Sequence, residues 1–470
     1  MLRHIKIAFF TLIFSLWLGV ALAVSFNVSA EDEVYNILEE MEAVGAIDSQ
    51  IYGIKPFTVS EVGRLLEEAM EKKDLLSPYL KARLNALWPR YKNGAYSGPS
   101  YLKPLENPYI AFSYVNKFPP ENIRGRALKK NNLVFGFESK CKISSFFLLH
   151  SQFEFANLEG NGHSTKGRFL MGYGKIGLGK LALEAGVDSV WWGQAYTGTL
   201  LTSLNPPPYN RLIKLELENP VLLPWVFNRL GLFKCSFFLS RLEDKRHIPH
   251  PWLVGMKINF KPFPFLEIGI NRSIMCGGKG RKTSLSKILW AKGENPYSPS
   301  KTEGDQKAGF DIRLRPFNHV VLYWEGAGED EAGNFPSHWA HIVGVGAVGL
   351  LDKWGLRFEQ AHISRWWYEH HVYKSGYRFR GRLIGYYTGR STDSYFGEIS
   401  YDINQNTRFS GSYWYEKYDL LNETVRRYQL GLIYHFNCRQ WPLILRARYR
   451  FSDFDKANDH YLLLQLQINI

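Results

Sequence analysis

The sequence predicts an all-β transmembrane barrel of about 18 antiparallel strands, preceded by a small N-terminal α-helical bundle. Three observations support this fold. The chain of 470 residues is long for one ordinary compact core but suits a barrel. Aromatic residues make up 15% of the chain and charged residues 22%, so the aromatic surplus comes without the loss of charge typical of helical membrane proteins. After about residue 105, the hydrophobic pattern changes from a helical period to a period of two.

The first 30 residues are typical of a secretory signal. Arg3 and Lys6 precede an apolar run, and small residues at 28–30 suit a signal peptidase, with residues 21–23 as a second possible site. A retained membrane anchor is the alternative, although the run lies near the lower limit for spanning. No later stretch is apolar for long enough to span as a helix. A membrane location would therefore depend on strands.

Residues 31–95 are predicted to form three short amphipathic helices. Gly45 is placed to end the first, a capping box begins at Thr58, and Ser77 caps the third, which Pro89 is expected to stop. Their apolar stripes are narrow, so the helices need to pack together or against another domain. We expect a periplasmic helical bundle here.

Residues 96–470 are predicted to form the barrel, because apolar residues alternate with charged or polar ones along many segments. In a membrane barrel the apolar face meets lipid and the charged face lines the lumen, whereas in a soluble sandwich the charged face meets water. Recurring strands and an apolar-faced terminal strand favour the membrane barrel. So do aromatic clusters at 366–368 and 413–415, which suit the interfacial girdles of such barrels. The clearest charged faces contain Lys257, Asn259 and Lys261; Asp311, Arg313 and Arg315; and Arg446, Arg448 and Arg450.

The formal net charge of +14 indicates an anionic partner. An exported chain rarely meets nucleic acid, so anionic glycan or lipopolysaccharide is the better expectation. The four cysteines are scattered without metal-site spacing, and no nucleotide loop, nucleophile elbow or zinc-protease motif is present. We therefore expect no catalytic residues, no cofactor and no metal.

Five blocks of sequence carry a family resemblance. Residues 189–194 and 200–208 form its centre, and residues 267–272, 306–311 and 328–333 follow in the same order. Together they resemble the Wzi-type capsule assembly proteins over essentially the whole mature chain. The resemblance implies an 18-stranded outer-membrane barrel with a periplasmic helical bundle. It also implies a lectin-like protein that anchors or organises capsular or exopolysaccharide at the cell surface.

The candidate polysaccharide-binding residues are a pair of tryptophans and nearby polar groups. Tryptophan faces can stack on sugar rings, although an aromatic belt or barrel filling would use them equally well. Residues 329–331 form a carboxylate cluster, for which we favour lumenal salt bridges with Arg313, Arg315 or Arg272 over catalysis or calcium binding. The full candidate set is Asp188, Trp191, Trp192, Gln194, Arg272, Glu329, Asp330 and Glu331.

Two other functions share this architecture. An outer-membrane porin or polysaccharide export channel would show the same alternation, and a polysaccharide-modifying enzyme would need a paired acid and base. We expect a non-enzymatic monomer that contacts outer-membrane lipid and lipopolysaccharide. The cationic runs, including Arg378, Arg380 and Arg382, lead us to expect an acidic polysaccharide.

Overall fold

The computed structural model describes residues 24–92, 100–158, 164–282, 304–332, 335–455 and 457–469. Within them, three α-helices precede a closed antiparallel barrel of 18 strands, which confirms the predicted fold class. The helices are α1 (Val34–Ala43), α2 (Val59–Glu71) and α3 (Pro78–Tyr91). The strands are β1 (Tyr101–Val115), β2 (Lys130–Lys142), β3 (Phe147–Leu158), β4 (Ser164–Leu178), β5 (Leu181–Asp188), β6 (Tyr209–Leu217), β7 (Leu232–Arg241), β8 (Trp252–Phe263), β9 (Leu266–Cys276), β10 (Asp305–Phe317), β11 (Val320–Ala332), β12 (Phe335–Leu350), β13 (Trp354–Ile363), β14 (Thr392–Asn404), β15 (Thr407–Tyr418), β16 (Glu423–Cys438), β17 (Trp441–Phe454) and β18 (Ala457–Ile468).

The helix starts follow their capping residues. The hydroxyl of Thr58 accepts a hydrogen bond from the backbone N–H of Glu61 at 3.1 Å, as the capping box predicts. The carboxylate of Glu61, however, bonds to Lys234 of β7 instead of closing the box. The expectation that Pro89 stops α3 is wrong by two residues, since the helix runs on to its end at Tyr91. Among the described helices, none is long and apolar enough to cross a membrane.

The barrel closes where β18 pairs with β1, from Tyr109 opposite Gln467 to Val115 opposite Tyr461. Its connections are short at one end, as at residues 264–265, and this is called the short-turn end. At the opposite, long-loop end they are longer, because residues 189–208 and 364–391 lie there.

The two faces of each strand differ as the alternation predicted. Lys257 and Asp311 face the lumen, where both are fully buried and form an ion pair. Ile270, with its side chain on the outward face, is 57% exposed. The charged faces therefore line the lumen, and the apolar faces form the outer wall of the barrel.

The helices lie at the short-turn end and close that mouth of the barrel. The backbone N–H of His319, in a short turn, donates to the carbonyl oxygen of Ala43 at the end of α1, at 2.7 Å. Glu42 of α1 binds Lys261 of β8 at 2.6 Å and Arg313 of β10 at 2.8 Å. Ion pairs of this kind hold the bundle to the inner wall, so the helices and the barrel form one structure.

Residues 24–29 pack into the barrel although the sequence assigned them to the signal. The backbone N–H groups of Val28 and Val59 donate to the carbonyl oxygens of Phe57 and Phe26, each at 2.8 Å. The side-chain amide of Asn27 donates to Glu184 and to Asp188 at 2.7 and 2.9 Å. Loss of this segment would leave buried carboxylates without these donors, which is costly.

We therefore propose that the signal is cut after residue 23, the second of the two possible sites, and not after residue 30. N-terminal sequencing or intact-mass measurement of the exported protein is expected to give Val24 as the first residue. A mature chain beginning at Glu31 would contradict this assignment.

The bundle has its own apolar core, in which Leu65 of α2 and Leu84 of α3 are almost fully buried. Replacement of either by Asp places an unpaired charge in that core and is expected to lower the free energy of unfolding by roughly 3–5 kcal/mol. Denaturant titration of the refolded protein measures the effect. The control is Leu75→Asp, at an exposed position in the same region, which is expected to change little. Equal stability of all three variants would mean that the bundle core contributes nothing.

Candidate functional site

Residues 189–208 turn back into the lumen instead of projecting from the barrel. Trp191 and Trp192 pair antiparallel with Lys55 and Ile54 in a two-stranded sheet inside the lumen. The N–H of Trp192 donates to the carbonyl oxygen of Thr202 at 3.2 Å, which folds the segment back on itself. The central block of the family resemblance is therefore an internal structural element.

Carboxylates on the barrel wall hold this segment by its backbone. Glu325 of β11 accepts hydrogen bonds from the N–H groups of Gln194 and Ala195 at 2.6 and 2.8 Å. Glu359 of β13 accepts from the N–H of Thr197 at 2.9 Å. Such bonds supply the acceptors that the irregular backbone lacks.

Gly193 allows Glu325 to approach the segment closely. A Cβ atom at residue 193 would lie 2.3 Å from Oε1 of Glu325, closer than nonbonded atoms can come. Any larger residue here would displace the carboxylate from its backbone donors. The glycine of this block is therefore needed for contact with the wall.

A second loop, residues 364–391, covers the first. The Tyr368 hydroxyl donates to the carbonyl oxygen of Leu200 at 2.7 Å, and the Tyr377 hydroxyl donates to that of Leu201 at 3.0 Å. Residues 189–208 and 364–391 together are called the plug. Its apolar core with the wall includes Trp192, Leu200, Leu201, Tyr209, Phe238, Trp367, Tyr368, Tyr377, Phe379 and Ile384.

Three loops meet beside the plug at the long-loop end. The Arg246 guanidinium donates to the carbonyl oxygens of Arg378 and Gly376 at 3.0 and 3.1 Å. The N–H of Lys279 donates to the carbonyl oxygen of Pro249 at 2.9 Å. Residues 242–251, 277–282 and 371–383 therefore form one continuous surface, which is called the rim cluster.

The rim cluster is strongly cationic. Glu243 and Asp244 are its only acidic residues, and Lys245, Lys279, Lys282, Lys374 and Arg380 are exposed. Its nine cationic residues are Lys245, Arg246, Lys279, Arg281, Lys282, Lys374, Arg378, Arg380 and Arg382. The sequence showed the alternation at 378–382, which predicted a strand of the barrel wall, but the structure places these residues in a loop.

The family model for "Capsule assembly protein Wzi" matches residues 124–455. The chain belongs to the Wzi family. A curated relative from Klebsiella pneumoniae, an uncharacterized 55.8 kDa protein in the cps region, is 24% identical over 326 residues. That match covers 66% of this chain and 60% of the relative, which is less than two thirds of the relative's length.

A solved structure shows the same fold. Wzi of Escherichia coli is described as an outer-membrane protein involved in group 1 capsule assembly and as a carbohydrate-binding β-barrel. It matches with a TM-score of 0.76 at 19% identity, over 96% of this chain and 100% of that one. The barrel described above therefore has the same fold as that structure.

The structure buries most of the residues that the sequence singled out in this Wzi-family chain. Trp191, Trp192 and Gln194 lie within the plug, and Asp188 lies at the end of β5 beneath it. The aromatic cluster at 366–368, predicted to be an interfacial girdle, also belongs to the plug, where Trp367 and Tyr368 are buried. A polymer outside the barrel does not reach these side chains in this conformation.

Glu329 of the carboxylate cluster forms an ion pair with a lysine of the neighbouring strand. Glu329 faces the lumen and pairs with Lys307 at 2.7 Å, which agrees with a lumenal salt bridge. Arg313 and Arg315 are not its partners, however, because Arg313 pairs with Glu39 and Glu42 of α1 and Arg315 with Asp48. Arg272 lies on the outward face, where it donates to Gln306. The side chains of Asp330 and Glu331 lie outside the described part of the structure.

The described residues include no group of three or more His, Cys, Asp or Glu placed to hold a metal ion. All four cysteines are free thiols. The carboxylates around the plug are engaged by backbone N–H groups and lysines, so the site is built to hold a segment of chain.

Lys55 is a buried lysine within the plug contacts. Its ammonium lies 3.5 Å from the centroid of the Tyr52 ring and 5.8 Å from that of Trp191. Burial lowers the pKa of Lys55 to about 7, and Arg313 adds to the lowering while Glu39 opposes it. The charged form of Lys55 is therefore disfavoured in the folded protein.

The stability of the protein is expected to depend on Lys55 above neutral pH. An unfolded lysine keeps its proton until about pH 10.4, so between pH 7 and 10 unfolding takes up a proton and the free energy of unfolding rises with pH. The rise is at most about 1.4 kcal/mol per pH unit. Urea titrations at pH 6, 8 and 9.5 are expected to show it in the parent protein and to show a flatter curve for Lys55→Met. The exposed control Lys279→Met should keep the parent slope, and an identical slope in Lys55→Met would contradict the assignment.

Proposed function

We propose that this Wzi-family protein lies in the outer membrane and anchors capsular or exopolysaccharide at the cell surface, as a lectin-like protein without enzymatic activity. Membership of a capsule assembly family supports the proposal. So does the apolar outer wall of a closed 18-stranded barrel, which suits a lipid environment. The Escherichia coli relative is described as carbohydrate-binding, and the same property is proposed here.

The orientation follows from the two ends of the barrel. Outer-membrane barrels have short turns on the periplasmic side and longer loops outside. In that orientation α1, α2 and α3 close the periplasmic mouth, and the rim cluster faces the cell exterior. We propose that the helical bundle is periplasmic for this reason.

The rim cluster is the proposed attachment surface for an acidic polysaccharide. The observation that carries this proposal is the contrast between the lumen and the rim. Lumenal cations such as Lys257, Lys261 and Arg450 each pair with a carboxylate. The rim cluster contains nine cationic and two acidic residues. Arg246 pairs with Glu243 at 3.7 Å and donates two further hydrogen bonds to backbone carbonyl oxygens, whereas Lys245, Lys279, Lys282, Lys374 and Arg380 are exposed. A surface of unbalanced positive charge attracts a polyanion.

The plug argues against an open channel as the main function. It brings two loops into the lumen, and wall carboxylates such as Glu325 and Glu359 hold the first of them by hydrogen bonds. A channel would require these contacts to break. The same carboxylates are occupied by N–H donors, which does not favour their use as a hydrolytic acid and base.

Reversal of charge in the rim cluster is expected to weaken polyanion binding. The variant Lys245→Glu/Lys374→Glu/Arg380→Glu changes three exposed loop residues. Its affinity for an acidic capsular polysaccharide is expected to fall about tenfold or more at low salt, since each 1.4 kcal/mol corresponds to a factor of ten. Titration of the purified protein with acidic and neutral glycans at two salt concentrations measures the difference, because exposed charges are screened within about 8–10 Å at physiological salt.

The matched control is Lys129→Glu, which changes an exposed lysine at the same end of the barrel but outside the rim cluster. Cells that carry the triple variant are expected to shed polymer into the medium, as a deletion strain would, while the control retains it. Equal, salt-independent affinity for acidic and neutral glycans would overturn the assignment of an acidic ligand. Retention of polymer by the deletion strain would overturn the anchoring function itself.

A further inference from the structure

The connection between β6 and β7 is unusual for its end of the barrel. It spans residues 218–231, whereas the neighbouring turns at the short-turn end, residues 264–265 and 318–319, contain two residues each. It includes a two-residue strand, Val221–Leu222, which pairs with the start of β7. It also includes a 3-10 helix at Trp225–Leu230. Residues 221–231 are called the collar.

The collar folds over the outward face of the wall. Leu217 and Phe233 point outward, because their neighbours Glu216 and Lys234 face the lumen. Both are almost fully buried, and they pack with Leu223 of the collar. Other residues on the outer wall are open, as Leu464 is 44% exposed. The burial of Leu217 and Phe233 therefore comes from the collar lying on them.

The collar in turn presents its own apolar side chains. Trp225 and Val226 are 79% and 72% exposed, and Phe227 and Leu230 are also open. Arg229 is the one charged residue within 221–231. Large exposed apolar groups are unfavourable in water and mark a surface that another phase or molecule covers.

The surroundings of the collar indicate which phase covers it. The 3-10 helix contacts β8, whose last residue Phe263 stacks on Phe265 of the adjoining turn, and both rings are exposed. The exposed surface of the collar is thus continuous with the apolar outer wall and lies at the edge of the barrel. Tryptophan with an arginine nearby is the composition typical of a membrane interface, where the ring lies among headgroups and the guanidinium reaches phosphate.

We propose that the collar is an interfacial anchor that inserts Trp225, Val226 and Phe227 into the periplasmic leaflet of the outer membrane, with phospholipid as its partner. The proposal rests on the proposed membrane location and orientation but not on polysaccharide binding. Insertion fixes the depth of this side of the barrel in the bilayer. The collar also covers the outer wall at the short-turn ends of β5, β6 and β7. It therefore shields Leu217 and Phe233 from the headgroup region.

Quenching by brominated phospholipids tests the insertion. A fluorophore is attached at Val226→Cys in a full-length background in which the four native cysteines are replaced by serine, and the protein is reconstituted in vesicles of phosphatidylethanolamine. The expected depth of the label is roughly 5–10 Å inside the headgroup boundary, as for interfacial segments. Asp74→Cys, at an exposed position between α2 and α3, is the control that should remain unquenched. Leu464→Cys, on the outer wall, reports whether the barrel itself is in the bilayer.

These positions separate the possible outcomes. Quenching at 464 and 226 but not at 74 supports the collar as an anchor. Quenching at 464 alone overturns the anchor while leaving the membrane barrel intact, and absence of quenching at all three positions overturns the membrane location. Close approach of two labels at 226 in the same vesicles, without quenching by lipid, would instead assign the collar to contact with a second copy.

A test without cysteine replacement uses trypsin. The protein is reconstituted in vesicles so that the periplasmic end of the barrel faces the outside solution, where trypsin is added. Cleavage after Arg229 is expected to be slow in the parent protein. It is expected to be several-fold faster in the variant Trp225→Gln/Val226→Gln/Phe227→Gln, because the collar of this variant no longer inserts. Cleavage after Lys73, between α2 and α3, serves as the internal reference and should be the same in both proteins. Equal cleavage after Arg229 in both proteins would overturn the proposal.

Discussion

A charged side chain that faces the inside of a closed barrel loses most of its water and needs a partner there. The structure depends on this constraint. Lys257 and Asp311 form an ion pair on the inner face of the wall, and neither side chain is accessible to solvent. Where the wall carries a surplus carboxylate, as at Glu325, the partner is the backbone of the plug. The charges that line the lumen thus determine which segments can occupy it.

The helical bundle obeys the same rule at the short-turn end. The acidic residues of α1 match basic residues of the wall, as Glu40 does with Arg408 and Glu42 with Lys261. Since the lumen is largely balanced in this way, the excess positive charge of the chain has to lie elsewhere. The rim cluster, with nine cations and two acids, carries a formal charge of +7, which is more than half of the +12 that remain when Arg3 and Lys6 leave with the signal. Internal pairing therefore leaves the cationic surface at the long-loop end, where the proposed polyanionic ligand would meet it.

The sequence predicted the wall well and the interior of the barrel poorly. Alternation identified the lumenal face of β8, β10 and β17 because a period of two directly reports the two sides of a strand. It misplaced Arg378–Arg382, since a short hairpin in a loop alternates like a barrel strand. The partners predicted for Glu329 were wrong because lumenal pairing depends on strand register and on α1, which is more than 250 residues away along the chain from Arg313.

The sequence by itself determined the fold class, the three helices, the approximate number of strands and the family, since all of these depend on local periodicity or on blocks read in order. Only the tertiary structure decided that Trp191 and Trp192 are internal, that residues 24–29 belong to the folded chain, and that three separate loops make one cationic surface. The physical reason is closure of the barrel. It brings residues 242–251, 277–282 and 371–383 to one mouth and turns residues 189–208 and 364–391 into the lumen, and neither event leaves a periodic signal in the chain.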